Sequence, residues 1–298
     1  MTAHPHSRFR RLATAAAALV ASAGVCAGLA TPASAALPPF PGPWNEYTGK
    51  SDGVKQMVVF GDSFTAHAGK GGPRWLEPAQ VSYLSSCATD KENWPKLLAD
   101  SRHQSLGDWS CNGTGRIPFG DIYSYVESAI NYGDLGPSTE QVMLMYGGMD
   151  PLQWVDTGAE IAIPGGVNAT AFRAEVAWFA NRVREVAPRA RITVVGYPEM
   201  TDRDRLCVAN DPAQVAVPVP GATLVEQKLS DNLRHAAGAN GLGFVDVYAA
   251  SRGHSSCNPD PNQRWTVGYV DSAAHTMPMH PSNEGQRQMA RIIGEALG

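Results

Sequence analysis

Short unbroken apolar runs recur along the chain, at Met57–Gly61 (MVVFG), Val142–Gly147 (VMLMYG), Ile192–Gly196 (ITVVG) and Gly243–Val247 (GFVDV). Runs of this kind suit strands buried on both faces. A weaker strand covers Leu106–Ser110. Between them, apolar residues recur at helical spacing over Trp94–Leu98, Ile122–Ile130, Phe172–Val186 and Leu224–Ala237, and a last helix is expected after Pro281. Strand alternating with helix predicts an α/β fold, a three-layer α/β/α sandwich with a central parallel sheet. No internal repeat and no linker divides the body, and the Pro-rich segment Leu37–Trp44 (LPPFPGPW) reads as an extended lead-in.

The connections add to this picture. Phe64–Asp90, Tyr197–Ala222 and Tyr248–Ser282 each follow a strand and exceed an ordinary βα turn. All would emerge at the carboxyl ends of the strands, the edge where open α/β sheets bind ligands.

The amino terminus departs from the pattern. Arg8, Arg10 and Arg11 precede an Ala-, Leu- and Val-rich stretch, Leu12–Leu29, and then Thr31-Pro32-Ala33-Ser34-Ala35, which suits small-residue cleavage. Residues 1–35 are therefore expected to be a secretory signal peptide, and 36–298 a single domain. The mature protein would be secreted, extracellular or at the cell envelope, with no stable membrane span. Cys26 falls in the discarded part.

Composition narrows the classes further. With 43% hydrophobic and 17% charged residues, the chain has the core-forming fraction of a globular protein. Its net charge of −4 becomes −7 once the three leader arginines are removed, leaving 21 basic against 28 acidic residues. That balance excludes a basic stripe for a phosphate backbone, so no nucleic acid is expected as partner. A small-molecule, lipid or glycan ligand fits better, and oligomeric state is not legible.

Export changes the reading of Cys87, Cys111, Cys207 and Cys257, an even four in an oxidising compartment. Two disulfides are expected, and the sequence does not choose among the three pairings. Nearest-neighbour pairing would close loops contributing roughly 3.5 and 4 kcal/mol in the chain-entropy account. Zinc is the weaker alternative, since no CxxC or HxxxH spacing accompanies these cysteines. No metal, GxGxxG turn or phosphate loop is indicated, and no cofactor is expected.

At the end of the first strand, Gly61-Asp62-Ser63-Phe64 puts a serine hydroxyl on a tight turn at the ligand edge. Such a hydroxyl needs a base to take its proton before it can act as a nucleophile. Among the histidines, His280 stands in MHPSNEGQRQMA, where Pro281 and Ser282 open the final helix. His275, with Asp271 four residues before it, is the rival, and His235 sits within a helical pattern.

GDSF near the start, CNG (Cys111–Gly113) after the second strand, YGGMD (Tyr146–Asp150) after the third and HPSNEG near the end follow the block order of the SGNH (GDSL-type) hydrolases. Over essentially the whole mature chain the sequence resembles the secreted, disulfide-containing actinobacterial esterases and lipases of that group. The resemblance implies a flavodoxin-like α/β sandwich, Ser63 as nucleophile, His280 as general base and then acid, and an oxyanion hole made by the backbone N–H groups of Ser63 and Gly113. Oriented donors at such a hole can each contribute about 3 kcal/mol to the transition state.

Two positions depart from the family pattern. The third block has Met149 where an asparagine normally donates to the oxyanion, and methionine cannot make that bond. Asn112, beside Gly113, is a substitute by proximity. The last block has Met277 where an aspartate three residues before the histidine is usual. The expected arrangement is therefore a Ser63–His280 dyad oriented by the Met277 backbone carbonyl, with Asp271 in reserve. A neutral orienter does less than a carboxylate, and reduced activity is implied.

Trp75, Trp154, Tyr197, Trp265 and Tyr269 fall on the rim loops, where they would either line an acyl or sugar groove or pack the loops themselves. The expectation is a serine esterase or lipase acting on short to medium acyl esters or acetylated glycans. The alternatives are a weak or inactive glycan- or lipid-binding member and an acyltransferase using the same acyl-enzyme.

Overall fold

The computed structural model describes residues 51–68, 72–73, 88–112, 114, 120–147 and 169–298. Its strands are β1 (Met57–Gly61), β2 (Gly72–Pro73), β3 (Ala88–Thr89), β4 (Leu106–Asp108), β5 (Gln141–Met145), β6 (Arg191–Val195), β7 (Arg205–Asn210), β8 (Gln214–Pro218) and β9 (Gly243–Val245). Its helices, renumbered in chain order, are α1 (Ser63–Ala66), α2 (Trp94–Arg102), α3 (Gly120–Tyr132), α4 (Ala169–Val186), α5 (Ala222–Ala239), α6 (Val247–Ala250) and α7 (Asn283–Leu297).

Five strands form one parallel sheet in the order β4-β1-β5-β6-β9, in register at Met57↔Leu106, Met57↔Gln141, Gln141↔Arg191 and Thr193↔Gly243. Every residue of β1 is buried. Because neighbouring side chains on a strand point to opposite faces, both faces of the sheet are covered. Helix α2 packs on α7, and α3, α4 and α5 form a second row. The result is the expected three-layer sandwich. Phe60 meets Phe179 of α4 edge to face at 5.5 Å, and each large apolar side chain buried this way contributes roughly 1.5–3 kcal/mol.

In order of appearance the five sheet strands run 2-1-3-4-5, so the chain leaves β1 for β4 on one side and returns to β5 on the other. The crevice at that reversal, outside the carboxyl ends of β1 and β5, is where such sheets take their ligands.

The long connection after β6 gains structure that apolar runs do not announce. The segment following β6 contains the antiparallel hairpin β7–β8. Its β8 strand, Gln214–Pro218, is largely exposed, so no buried apolar run marks it. Cys207 of β7 is bonded to Cys257, which fixes one bridge of the three pairings open to the sequence. Cys111 is disulfide-bonded as well, and Cys87 lies outside the described residues, as does the expected leader. Among the described residues no helix is long and apolar enough to cross a membrane.

Candidate active site

β1 delivers the turn. A Cβ on Gly61 would collide with the Thr65 side chain, so the first turn of α1 can fold back over the strand end only with glycine there. Asp62 caps that helix, its Oδ1 accepting from the Phe64 N–H at 2.9 Å, a bond typically worth about 1 kcal/mol. The Asp62 carboxylate is buried and its Oδ2 accepts from the Tyr197 hydroxyl. Burial pushes its pKa up to about 7, against the opposing effect of these hydrogen bonds. Ser63 follows as the first residue of α1, and so its N–H has no acceptor within the helix.

His280 arrives by a different route. The segment Met279–Ser282 is laced antiparallel to Trp265–Gly268: the Met279 N–H donates to the Gly268 carbonyl at 3.1 Å, the Val267 N–H to the His280 carbonyl at 3.0 Å, and the Ser282 N–H to the Trp265 carbonyl at 2.8 Å. Gly285, one turn into the final helix, packs so closely on the Trp265 carbonyl that a Cβ there would overlap it. Ser282 caps α7 by accepting from the Gly285 N–H at 3.0 Å.

The two side chains meet. Ser63 Oγ lies 2.7 Å from His280 Nε2, and His280 Nδ1 lies 2.8 Å from the Pro278 carbonyl oxygen. A carbonyl only accepts, so Nδ1 carries the proton and Nε2 presents its lone pair to the Ser63 hydroxyl, which donates. Burial holds the His280 pKa below its ordinary value, partly offset by the Pro278 carbonyl. The Phe64 ring lies 4.8 Å from the imidazole and 5.3 Å from Tyr197, closing one side of the pair.

Both expected orienters are corrected. The carbonyl facing Nδ1 belongs to Pro278 and not to Met277. Met279 sits in the left-handed region at φ 60°, which folds the chain tightly enough for the carbonyl two residues back to reach the ring. Asp271 is engaged elsewhere: its fully buried carboxylate pairs with Arg264 at 3.3 Å and accepts from Asn210 Nδ2 and the Ala273 N–H, each at 2.8 Å. The rival His275 turns its Nδ1 to the Ala273 carbonyl at 2.9 Å. His235 is exposed on α5.

On the oxyanion side, Asn112 is described and its Nδ2 lies 3.6 Å from the Met277 sulfur. Gly113 and Met149 lie outside the described residues, as do Trp75 and Trp154. Of the remaining rim aromatics, Tyr197 and Trp265 are buried, Trp265 stacking on His254 at 3.7 Å, so both pack the loops; Tyr269 is 62% exposed. Among the described residues no group of three or more His, Cys, Asp or Glu side chains is arranged to hold a metal.

Sequence reasoning missed the polar floor under this turn. Asn93 caps α2 and donates from Nδ2 to the Thr65 carbonyl at 3.0 Å and to Asp108 Oδ2 at 2.8 Å. Asp108 in turn accepts from the Ser110 hydroxyl and N–H, just before Cys111. The available signal was Asn93-Trp94-Pro95, a capping residue before a helix with proline in its first turn.

The family model for the GDSL-like Lipase/Acylhydrolase family matches residues 59–288. Lipase 2 of Streptomyces coelicolor is 29% identical over 318 residues, covering 99% of each chain. An esterase of Streptomyces scabiei is 25% identical over 361 residues, covering 97% of this chain and 94% of the relative. Among solved structures, phospholipase A1 from Streptomyces albidoflavus NA297 superposes with a TM-score of 0.56 at 20% identity, covering 81% of this chain and 98% of that one. An extracellular lipase from Streptomyces rimosus does so with a TM-score of 0.57 at 17% identity, covering 80% and 98%. These two structures share the fold.

Proposed function

Because the chain belongs to the GDSL-like Lipase/Acylhydrolase family and is a carboxylic ester hydrolase, we propose that Ser63 is its nucleophile and His280 its general base. The observation that carries this reading is the 2.7 Å Ser63–His280 contact with Nδ1 occupied by a carbonyl. Nε2 takes the Ser63 proton as Oγ attacks the ester carbonyl carbon. The resulting oxyanion is held by the Ser63 N–H, which no helical acceptor uses, together with the Gly113 N–H. On collapse the imidazolium returns its proton to the leaving alkoxide, giving free alcohol and an acyl-Ser63 ester. Water, deprotonated at the same Nε2, then attacks the acyl carbon; the second tetrahedral intermediate collapses by breaking the Ser63 Oγ–acyl bond, the imidazolium returns its proton to Oγ, and the carboxylic acid leaves.

The Pro278 carbonyl fixes the tautomer as a carboxylate would, but it stabilises the imidazolium less, so turnover is slower than with an aspartate orienter. Burial lowers the His280 pKa, which favours the neutral ring that can act as base. The substrates proposed are short to medium acyl esters, acetylated glycans included. Export after removal of residues 1–35 is proposed from the leader pattern and agrees with the Cys207–Cys257 bridge.

The test is fluorophosphonate labelling and hydrolysis of 4-nitrophenyl esters of graded chain length. Wild type should label and turn over, while Ser63→Ala should lose the label and about 10⁴-fold or more of its rate with the fold intact. A folded wild-type protein that takes no label and no ester would instead mark a binding member of the family. Ester product formed with an added alcohol would mark acyl transfer.

A further inference from the structure

We propose that His67 and Gln286 form a reciprocal clamp between the nucleophile turn and the base loop, acting as positioning residues that hold Ser63 and His280 at working distance. The inference rests on the dyad proposed above and concerns what keeps its halves together when a backbone carbonyl orients the imidazole. Ser63 and His280 come from opposite ends of the domain, and a single hydrogen bond between two reacting groups does not fix their distance.

His67 is 1% exposed and ends α1 in the left-handed region at φ 52°. Its Nε2 lies 2.8 Å from the carbonyl oxygen of Pro281, the residue next to His280. Since that oxygen only accepts, Nε2 carries the proton and donates. The Thr276 hydroxyl, 3.1 Å from the His67 carbonyl, ties the same loop to the end of α1 a second time.

Gln286 makes the converse connection. It is fully buried one turn into α7, and its Nε2 donates to the carbonyl of Phe64, the residue next to Ser63, at 2.9 Å. Its Oε1 accepts from the Trp94 N–H at 2.7 Å, satisfying one of the unpaired donors that open α2. So the chain carrying the nucleophile holds the neighbour of the base, and the helix following the base holds the neighbour of the nucleophile. Each clamp bond sits one residue from a reacting side chain. Two bonds running in opposite directions resist both separation and sliding of the two segments.

The chemical consequence is specific. Loosening the clamp changes the attack geometry between Ser63 and His280, so it should lower kcat and leave KM alone. An ångström of misplacement in such a pair can cost up to about a hundredfold in rate.

The experiment measures kcat and KM with 4-nitrophenyl butyrate, the rate of phosphonylation by a fluorophosphonate, and thermal unfolding, for His67→Phe, His67→Gln and Gln286→Met. Ser63→Ala and His280→Ala are run beside them. His67→Phe keeps the ring and loses the donor. It should lower kcat and the phosphonylation rate together by about tenfold at unchanged KM. His67→Gln places an amide N–H near the position of Nε2 and should recover most of that loss.

Wild-type kcat in folded His67→Phe overturns the clamp. So does a His67→Gln variant as slow as His67→Phe, or a loss that appears in KM. If His67→Phe does not fold, Gln286→Met decides by the same criteria. Full turnover in Ser63→Ala would overturn the dyad and the clamp with it, whereas an inactive Ser63→Ala beside a fully active His67→Phe overturns the clamp alone.

Discussion

The turn that carries Ser63 and the loop that carries His280 solve the same problem by different means. The nucleophile is placed by contiguous sequence: a buried strand, a glycine without room for a side chain, a capping aspartate and a one-turn helix. The base is placed by tertiary structure. Its segment borrows a backbone ladder from Trp265–Gly268, a left-handed Met279 and a wall pinned by the buried Arg264–Asp271 pair. Local placement survives wherever the strand is buried, whereas tertiary placement depends on every bond in the loop.

That contrast makes the base side the vulnerable half. The largest effect is expected at Asp271. Asp271→Ala leaves Arg264 buried and unpaired, and should destabilise the protein by about 3–5 kcal/mol in chemical denaturation, while the fraction still folded keeps its catalytic pH midpoint. A variant with unchanged stability and a shifted midpoint would return Asp271 to the role of orienter.

Next come the two crowded glycines, one on each side. Gly61→Ala and Gly285→Ala should each cost about 1–3 kcal/mol by overpacking. Gly61→Ala presses on the turn that carries Ser63 and Gly285→Ala on the ladder that carries His280, so both should also lower kcat. Wild-type kcat in either folded variant would contradict the close packing assigned to that half.

The smallest effect is in pH dependence. Burial lowers the His280 pKa in the folded state, so the neutral base persists below the ordinary imidazole value of 6.5. The acid limb of kcat/KM should therefore fall below 6.5. The matching contribution to stability is present above that value and lost as pH falls through it towards the folded pKa. A midpoint above 6.5 would mean an anionic partner raises it.

The sheet was legible because its strands are buried on both faces and read as continuous apolar runs. Its edges were less so: β5 and β6 each begin one residue before the apolar run and end before the rim residues Tyr146, Gly147 and Gly196. The hairpin β7–β8 was missed because it stands on the surface, where neither face of β8 is buried and its pattern resembles a loop. Ser63 could be found from local chemistry, and His280 from its helix entry. The orienter could not, because it depends on one backbone angle at Met279 that moves the accepting carbonyl from Met277 to Pro278. His67 and Gln286 carry no sequence signal either, since each is defined by a carbonyl more than 200 residues away.

The most direct test is long-range ¹⁵N–¹H NMR of the His280 ring in the resting enzyme above pH 7, with His280→Gln for assignment. The proton should sit on Nδ1 and leave Nε2 bare, as the Pro278 carbonyl dictates, and Asp271→Asn should not move either resonance. A proton on Nε2, or a ring signal that follows Asp271, would contradict a carbonyl-oriented Ser63–His280 pair.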